Sequence, residues 1–254
     1  MFEDRHDEEG WGLSDAQDHE FIPLISAEDE EAMQKEEVPK ALPLLSLRNT
    51  VLFPGVVIPI TVGRDRSIRL VKEAHKQEQR IGVVSQKNDD IEIPNGEDLN
   101  EVGTVAKVIK MLRMPDGSNT VILQGQKRFK WTEVVQEEPY MKARVVEYDA
   151  ENLPRKDDEH EALMQSLKEL AVEIIQLSPN IPSEAGFAIK SIESLTFLVN
   201  FIGSNMNAPV EEKQALLEVA GIKARASRVL ELLNKEKQML SLKRDIQTLS
   251  LIHI

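Results

Sequence analysis

The chain has 254 residues, of which 41% are hydrophobic and 30% are charged, and it contains no cysteine. This composition is typical of a globular protein with room for two domains, and it excludes a collagen-like or wholly disordered chain. The lack of cysteine excludes disulfide bonds, thiolate metal sites and cysteine nucleophiles. The N-terminus lacks the basic start and apolar stretch of a signal peptide, and the most apolar run, residues 51–62, is too short to cross a bilayer.

Acidic side chains are concentrated at the N-terminus. Residues 1–40 hold 14 acidic and 3 basic side chains, whereas the rest of the chain holds 30 and 28. An acidic segment with few apolar positions cannot bury enough surface to offset the entropy of ordering it, so we expect residues 1–40 to form a disordered tail. Alternatively, residues 21–25, FIPLI, dock on a partner. The nearly neutral remainder disfavours a surface that neutralises many phosphates.

Residues 41–150 have the pattern of a small β-rich domain. Short segments rich in Val and Ile alternate with turn residues, and Pro54 and Pro59 suit edge strands or bulges. A helix follows Gly63, and residues 115–118, PDGS, predict a hairpin turn. We expect about six strands in a half-closed, barrel-like sheet with one inserted helix. The candidate segments are residues 42–48, 51–62, 81–85, 102–114, 119–126, 129–135 and 141–148.

Beyond Arg155 the apolar residues follow the 3.6-residue period of helices. Asp158 and Glu161 resemble a capping box, and prolines and glycines divide the remainder into further helices. The predicted helices are residues 158–177, 183–203, 209–221 and 222 onward. The last helix carries more apolar positions than one bundle face requires. The sequence therefore predicts an α+β chain, in which a helical bundle of residues 155–254 ends in a long helix.

No catalytic motif is present in the sequence. It lacks the glycine spacing of a Walker A loop and a Gly-x-Ser-x-Gly elbow, and His160-Glu161 has Met164 where a zinc protease has its second histidine. Residues 127–131, KRFKW, alternate cations with aromatics, which fits a half-buried strand as well as a nucleic-acid surface. We therefore predict no catalytic, cofactor-binding or metal-binding residues in this chain. By elimination, we predict that it is a binding or assembly module.

Several separated segments resemble one family. They are residues 43–55 (PLLSLRNTVLFPG), 58–60 (IPI), 103–106 (GTVA), 114–117 (MPDG) and 235–247 (KEKQMLSLKRDIQ). In order and spacing they resemble the N-terminal domain of Lon, the ATP-dependent serine protease. The resemblance covers about residues 40–247.

The resemblance implies a β-rich substrate-binding subdomain, a helical bundle and a long helix that would lead into an ATPase module and a Ser-Lys protease domain. Such a region would recognise unfolded or damaged proteins and support assembly of a cytoplasmic homohexamer active in protein quality control. ATP and Mg²⁺ would belong to the AAA+ module, so this chain alone would not be an enzyme. Neither a membrane nor a nucleic acid is implied as a partner.

The final residues, 249–254, depart from the charged helix of the family, and we interpret them as the end of a truncated gene. Two alternative functions stay open at this point. One is a stand-alone protein-binding adaptor, and the other is an RNA-binding β-barrel module.

Apolar residues beside turns are candidates for contacts with varied protein substrates, because flexible apolar surfaces accommodate many partners. The candidate contact residues are Leu52, Phe53, Pro54, Met111, Leu112 and Met114. The candidate assembly helix is marked by Leu232, Met239, Leu242 and Ile246. Burial within the core is the competing interpretation of both sets.

Overall fold

The computed structural model describes residues 30, 32–33, 35–115, 117–148, 157–178, 181–182 and 184–252, and the segment predicted as a tail lies largely outside them. The strands are β1 (Ala41–Leu47), β2 (Val57–Val62), β3 (Ile81–Ser85), β4 (Val102–Arg113), β5 (Asn119–Gln136) and β6 (Lys142–Glu147). The helices are α1 (Asp65–Lys76), α2 (Asp158–Leu177), α3 (Ala185–Ser191), α4 (Leu195–Asn205), α5 (Val210–Glu218) and α6 (Ile222–Ile252). No described helix has both the length and the apolar character of a membrane span.

The six strands form one mixed sheet in the order β2-β5-β4-β3-β1-β6. Strand β6 also pairs with β5, so β5, β4, β3, β1 and β6 close into a ring. Strand β5 is long enough, at 18 residues, to pair with β2 through its first part and with β6 through its second. The expected barrel-like sheet is confirmed, and its closure leaves β2 outside the ring.

Two predicted strand boundaries were wrong. Residues 51–62 were predicted as strand broken at Pro54-Gly55 and at Pro59; the strand begins at Val57, after Gly55 turns the chain at a φ of 79°, but it continues unbroken through Pro59. The segments 119–126 and 129–135 are one continuous strand, β5.

The helix predicted over residues 183–203 is two helices, α3 and α4. Ser194 begins the second one, because its hydroxyl accepts a hydrogen bond from the backbone N–H of Phe197 at 3.1 Å. The cap of α2 is likewise one residue earlier than predicted. Asp157, rather than Asp158, accepts from the N–H of His160 at 2.9 Å.

All five strands of the ring contribute to the barrel interior. The buried side chains there are Leu42, Leu44, Val84, Val105, Phe129, Ala143 and Val145. Phe129 fills the centre, where a Cβ on Gly82 would lie 2.7 Å from its ring, so this position requires glycine. Helix α1 covers part of the outer surface through Leu70, Val71 and Ala74.

One buried apolar cluster joins the barrel to the helices. Val51, Phe53, Val56 and Val102 belong to the same buried cluster as the apolar faces of α2, α4, α5 and α6. The ring of Phe53 lies against Gly203 of α4. The helices are therefore packed directly on the barrel.

A buried glutamine of α5 adds polar contacts to this junction. The Ser85 hydroxyl donates to Gln214 Oε1 at 2.7 Å, and Gln214 Nε2 donates to the carbonyl of Val102 at 3.0 Å. Buried polar groups need such partners to avoid a desolvation penalty. The contacts consequently fix how α5 sits on strands β3 and β4.

Candidate functional site

Three strands continue beyond the closed ring and form an arm, which consists of β2 and residues 107–113 and 119–124. The turn at its tip joins β4 to β5. Gly117 has a φ of 86° there, and the backbone N–H of Met114 donates to the carbonyl of Ser118 at 2.9 Å. The tip is thus a defined turn, as residues 115–118 predicted.

The strand register separates the two faces of the arm. Pro59 lies opposite Ile122, which lies opposite Lys110, and the Thr61–Thr120–Leu112 row follows two residues along. Directly opposed residues share a face, so these six side chains lie on one side of the arm. Their neighbours along each strand, including Val121 and Met111, point to the core beneath α1.

The outward side carries exposed apolar side chains beside Thr61, Thr120 and Lys110. We call it the arm face: Pro59, Leu112 and Ile122, with Ile109 at a bulge and Met114 at the tip. Ile109 is 45% exposed and Met114 is 42% exposed, and Leu112 and Ile122 are half-buried. Exposed Lys110 lies on the same side opposite Ile122, and exposed Lys107 is nearby on β4.

The sequence-predicted contact residues divide between the core and this face. Leu52 and Phe53 are fully buried, and Pro54 is half-buried beside them. Met111 packs against the core beneath α1. Only two of the six, Leu112 and Met114, lie on the arm face.

Sequence reasoning missed Pro59, Ile109 and Ile122. On β4, the register shift between Val108 and Lys110 decides which side chains point outward, and it leaves Ile109 at the bulge. A two-residue alternation counted through this bulge assigns the wrong face. The pairing partners of β4 were needed to find the site.

The predicted assembly helix also divides. Leu232 is buried in the bundle, and Leu240 packs against it, whereas Met239, Leu242 and Ile246 are each more than half exposed. These three exposed residues are spaced i, i+3 and i+7, which places them on one stripe. We call this stripe the α6 ridge.

The segment 127–131 lies within β5 and behaves as a strand. Phe129 is in the barrel interior, Arg128 is buried, and Lys130 forms an ion pair with Glu101 at 2.8 Å. The hydrogen bond to Glu101 raises the pKa of Lys130. The strand interpretation is therefore confirmed, and the segment does not present a row of stacked aromatics and unpaired cations.

Among the residues that the structure describes, no group of three or more His, Cys, Asp or Glu side chains is placed to hold a metal ion. His160 is buried at the start of α2, and Met164 lies one turn further along that helix.

A comparison with known protein families shows which family the chain belongs to. Residues 41–235 match the family model of the ATP-dependent protease La (LON) substrate-binding domain. The chain belongs to this family. The arm face lies within the matched residues, and the α6 ridge lies beyond them.

Curated relatives of this Lon domain are Lon proteases. The chain is 56% identical over 229 residues to the Lon protease of Flavobacterium johnsoniae, which covers 90% of this chain and 28% of that protein. It is 48% identical over 236 residues to the Lon protease of Cytophaga hutchinsonii, covering 93% of this chain and 29% of that protein. The chain thus spans less than a third of the length of these relatives.

Solved Lon domains share the fold. The N-terminal domain of the Mycobacterium avium complex Lon protease superposes with a TM-score of 0.61 and 18% identity, covering 78% of this chain and 98% of that one. The Lon N-terminal domain protein from Xanthomonas campestris superposes with a TM-score of 0.55 and 18% identity, covering 76% of this chain and 98% of that one. The expected α+β architecture is confirmed.

Proposed function

We propose that this Lon domain recognises unfolded or damaged protein substrates and supports oligomer assembly for a Lon-type protease in protein quality control. Family membership supports this proposal, and the exposed apolar arm face is the observation that carries it. The ATPase, the Ser-Lys serine endopeptidase and their ATP and Mg²⁺ would belong to the complete protease. We propose a cytoplasmic homohexamer for that complete protein.

The arm face suits a partner that varies in sequence. An unfolded chain exposes apolar side chains that a folded protein buries, and an apolar surface with methionine accepts many of their shapes. Pro59 lies at the centre of β2, which pairs only with β5 among the described strands. Because proline has no N–H, the outer edge of β2 is a poor template for an added strand. Substrate would therefore bind through side chains on the arm face.

The substrate proposal is tested by removing apolar surface from the arm. We expect the double variant Ile109→Ser and Met114→Ser to weaken binding of fluorescently labelled casein about tenfold, a loss of about 1.4 kcal/mol. Fluorescence anisotropy with the full chain measures the Kd.

The matched control is Val135→Ser and Val146→Ser, on β5 and β6 outside the arm. These valines are 48% and 50% exposed, so the control removes apolar surface of similar exposure. We expect it to leave the Kd unchanged. Equal weakening by both double variants would contradict a specific contact surface on the arm.

The assembly proposal rests on the α6 ridge. Two helices that each expose residues at i, i+3 and i+7 can bury them against one another. We expect Met239→Gln, Leu242→Gln and Ile246→Gln together to abolish self-association measured by sedimentation velocity. The control pair, Lys243→Gln and Asp245→Asn, changes exposed neighbours while keeping the net charge. A wild-type chain that stays monomeric, or a triple variant that still associates, would contradict this role.

A further inference from the structure

The arm carries positive charge in a chain that is acidic overall. Its three strand segments include Lys107, Lys110 and Arg113 but no aspartate or glutamate. The whole chain, by contrast, has a net charge of -13. The tip turn adds Asp116, which lies outside the described residues. The positive charge of the arm is therefore a local departure from the charge of the chain, and it coincides with the exposed apolar side chains.

The strand register places two of these cations on the arm face. Lys110 lies opposite Ile122, and Lys107 lies opposite Gln124. Because Ile122 and Gln124 are two residues apart on one strand, they and their partners share a face. Both lysines are exposed. By the same alternation Arg113 lies on the other side of the arm.

The ammonium groups of these two lysines are free. Neither Lys107 nor Lys110 forms a hydrogen bond or an ion pair with another residue that the structure describes. The lysines of β5 in the closed ring differ, because one pairs with Glu147 at 3.0 Å and the other with Glu101 at 2.8 Å. A carboxylate from a partner would give the arm lysines the charge-assisted hydrogen bonds that the chain itself does not supply.

We propose that the arm face selects apolar segments of unfolded proteins that carry aspartate or glutamate beside their apolar residues. This inference rests on the proposed function and adds a charge preference to it. Leu112 and Lys107 pair with β5 at positions four residues apart, or about 14 Å along the strand. An extended segment of about five residues spans that distance. Its apolar side chains can therefore contact the arm face near the tip while a carboxylate reaches Lys110 or Lys107.

Two lysines match a partner with one or two carboxylates better than they match a polyanion. A nucleic acid binds non-specifically when many of its phosphates are neutralised, and a chain with a net charge of -13 repels such a polymer outside the local contact. Anionic membrane surfaces are usually recognised by clusters of about four to eight cations. The charge of the arm face thus favours an acidic peptide segment.

The inference is tested with three fluorescently labelled peptides that share one apolar core and are flanked by Glu, by Gln or by Lys. We expect the Glu-flanked peptide to bind the full chain about fivefold more tightly than the Gln-flanked peptide, with the Lys-flanked peptide weakest. Fluorescence anisotropy measures the three Kd values. Raising the salt concentration to about 0.5 M should remove most of the difference, because salt screens exposed charges.

Substitution of the two lysines assigns the preference to the arm face. We expect Lys107→Gln with Lys110→Gln to abolish the preference for the Glu-flanked peptide and to leave the Kd of the Gln-flanked peptide unchanged. The matched control is Lys72→Gln with Lys76→Gln. It removes the same charge from exposed positions of α1, which covers the opposite side of the arm, and it should keep the preference.

Equal binding of the three peptides overturns the inference, and so does a preference that survives the loss of Lys107 and Lys110. Wild-type binding to phosphatidylglycerol vesicles or single-stranded RNA that is lost with these lysines, while the peptides bind alike, would assign the lysines to a polyanion instead. The Ile109→Ser and Met114→Ser variant separates these failures from a failure of the proposed function. If it weakens binding of three peptides that bind alike, only the charge preference is wrong, whereas if it weakens none of them, the substrate role of the arm face is wrong as well.

Discussion

Arg128 is a charged residue whose buried position is explained by the helices beyond it. Its guanidinium donates to the carbonyls of Leu217 and Val219 at 2.8 and 2.9 Å and lies 5.4 Å from the centre of the Tyr148 ring. These carbonyls end α5, where no further helical N–H is available to them. One side chain of the barrel thus satisfies the end of a helix in the bundle.

We predict that Arg128→Met lowers the free energy of unfolding by about 3 kcal/mol, because it leaves two carbonyls without their charged donor. Urea denaturation measures the change. The control, Arg144→Met, removes an arginine that pairs with Glu133 while both side chains are more than half exposed. Arg144→Met should lower the free energy of unfolding by less than about 1 kcal/mol. Equal losses would show that Arg128 is not a structural link.

At the scale of elements, the start of α2 is held to the start of α6. Asp157 caps α2 and also accepts a hydrogen bond from Lys223 Nζ at 2.7 Å. The bond from Lys223, followed by the backbone N–H of His160, lowers the pKa of the Asp157 carboxyl. The carboxylate therefore contributes stability above the pKa that it has in the unfolded chain, and this contribution is lost as the pH falls through the lowered folded pKa.

We predict that Lys223→Met raises the pKa of Asp157 towards the ordinary value of an aspartate, so the stability that this carboxylate contributes at neutral pH, and therefore its loss on acidification, becomes smaller. An NMR titration of the Asp157 carboxyl carbon measures the pKa. Lys235→Met is the control, because Lys235 pairs with Glu212 instead. An Asp157 pKa that is the same in the Lys223→Met variant and the wild type would refute the assigned cause.

The sequence predicted elements where the signal was local and failed where the partner was distant. The hairpin turn at residues 115–118 and the helix α2 follow from nearby residues alone. The buried guanidinium of Arg128 in β5 has its hydrogen-bond partners at the end of α5, about ninety residues later in the chain. The arm face depends on a bulge whose position only the pairing of β4 with β5 reveals. Leu52 and Phe53 resembled surface candidates beside a turn, but the helices bury them.

For the whole molecule, the change of period near residue 155 separates two sequence patterns, but one buried cluster contains residues from both. Phe53 precedes β2, yet it lies in the cluster built mainly by helices, and Gly203 of α4 leaves space for its ring. Gln214 and Arg128 add hydrogen bonds across the same junction. Neither half buries its apolar surface fully without the other. We therefore infer that the barrel and the helices unfold as one cooperative unit.

The chain offers separate reporters for the two halves. Its tryptophans are Trp11 and Trp131, so in a Trp11→Phe background the fluorescence reports on Trp131, whose indole donates to the carbonyl of Asn100 in the barrel. Far-UV circular dichroism is dominated by the helices. We predict coincident urea transitions for the two signals, as a two-state unit requires.

Phe53→Ala opens a cavity in the shared cluster, so it should lower the free energy of unfolding by about 3–5 kcal/mol. Both transitions should then move together to lower urea concentration. Ile93→Ala, at an exposed position, should shift neither. A Phe53→Ala chain whose circular dichroism transition moves while its fluorescence transition stays in place would show that the two halves fold separately.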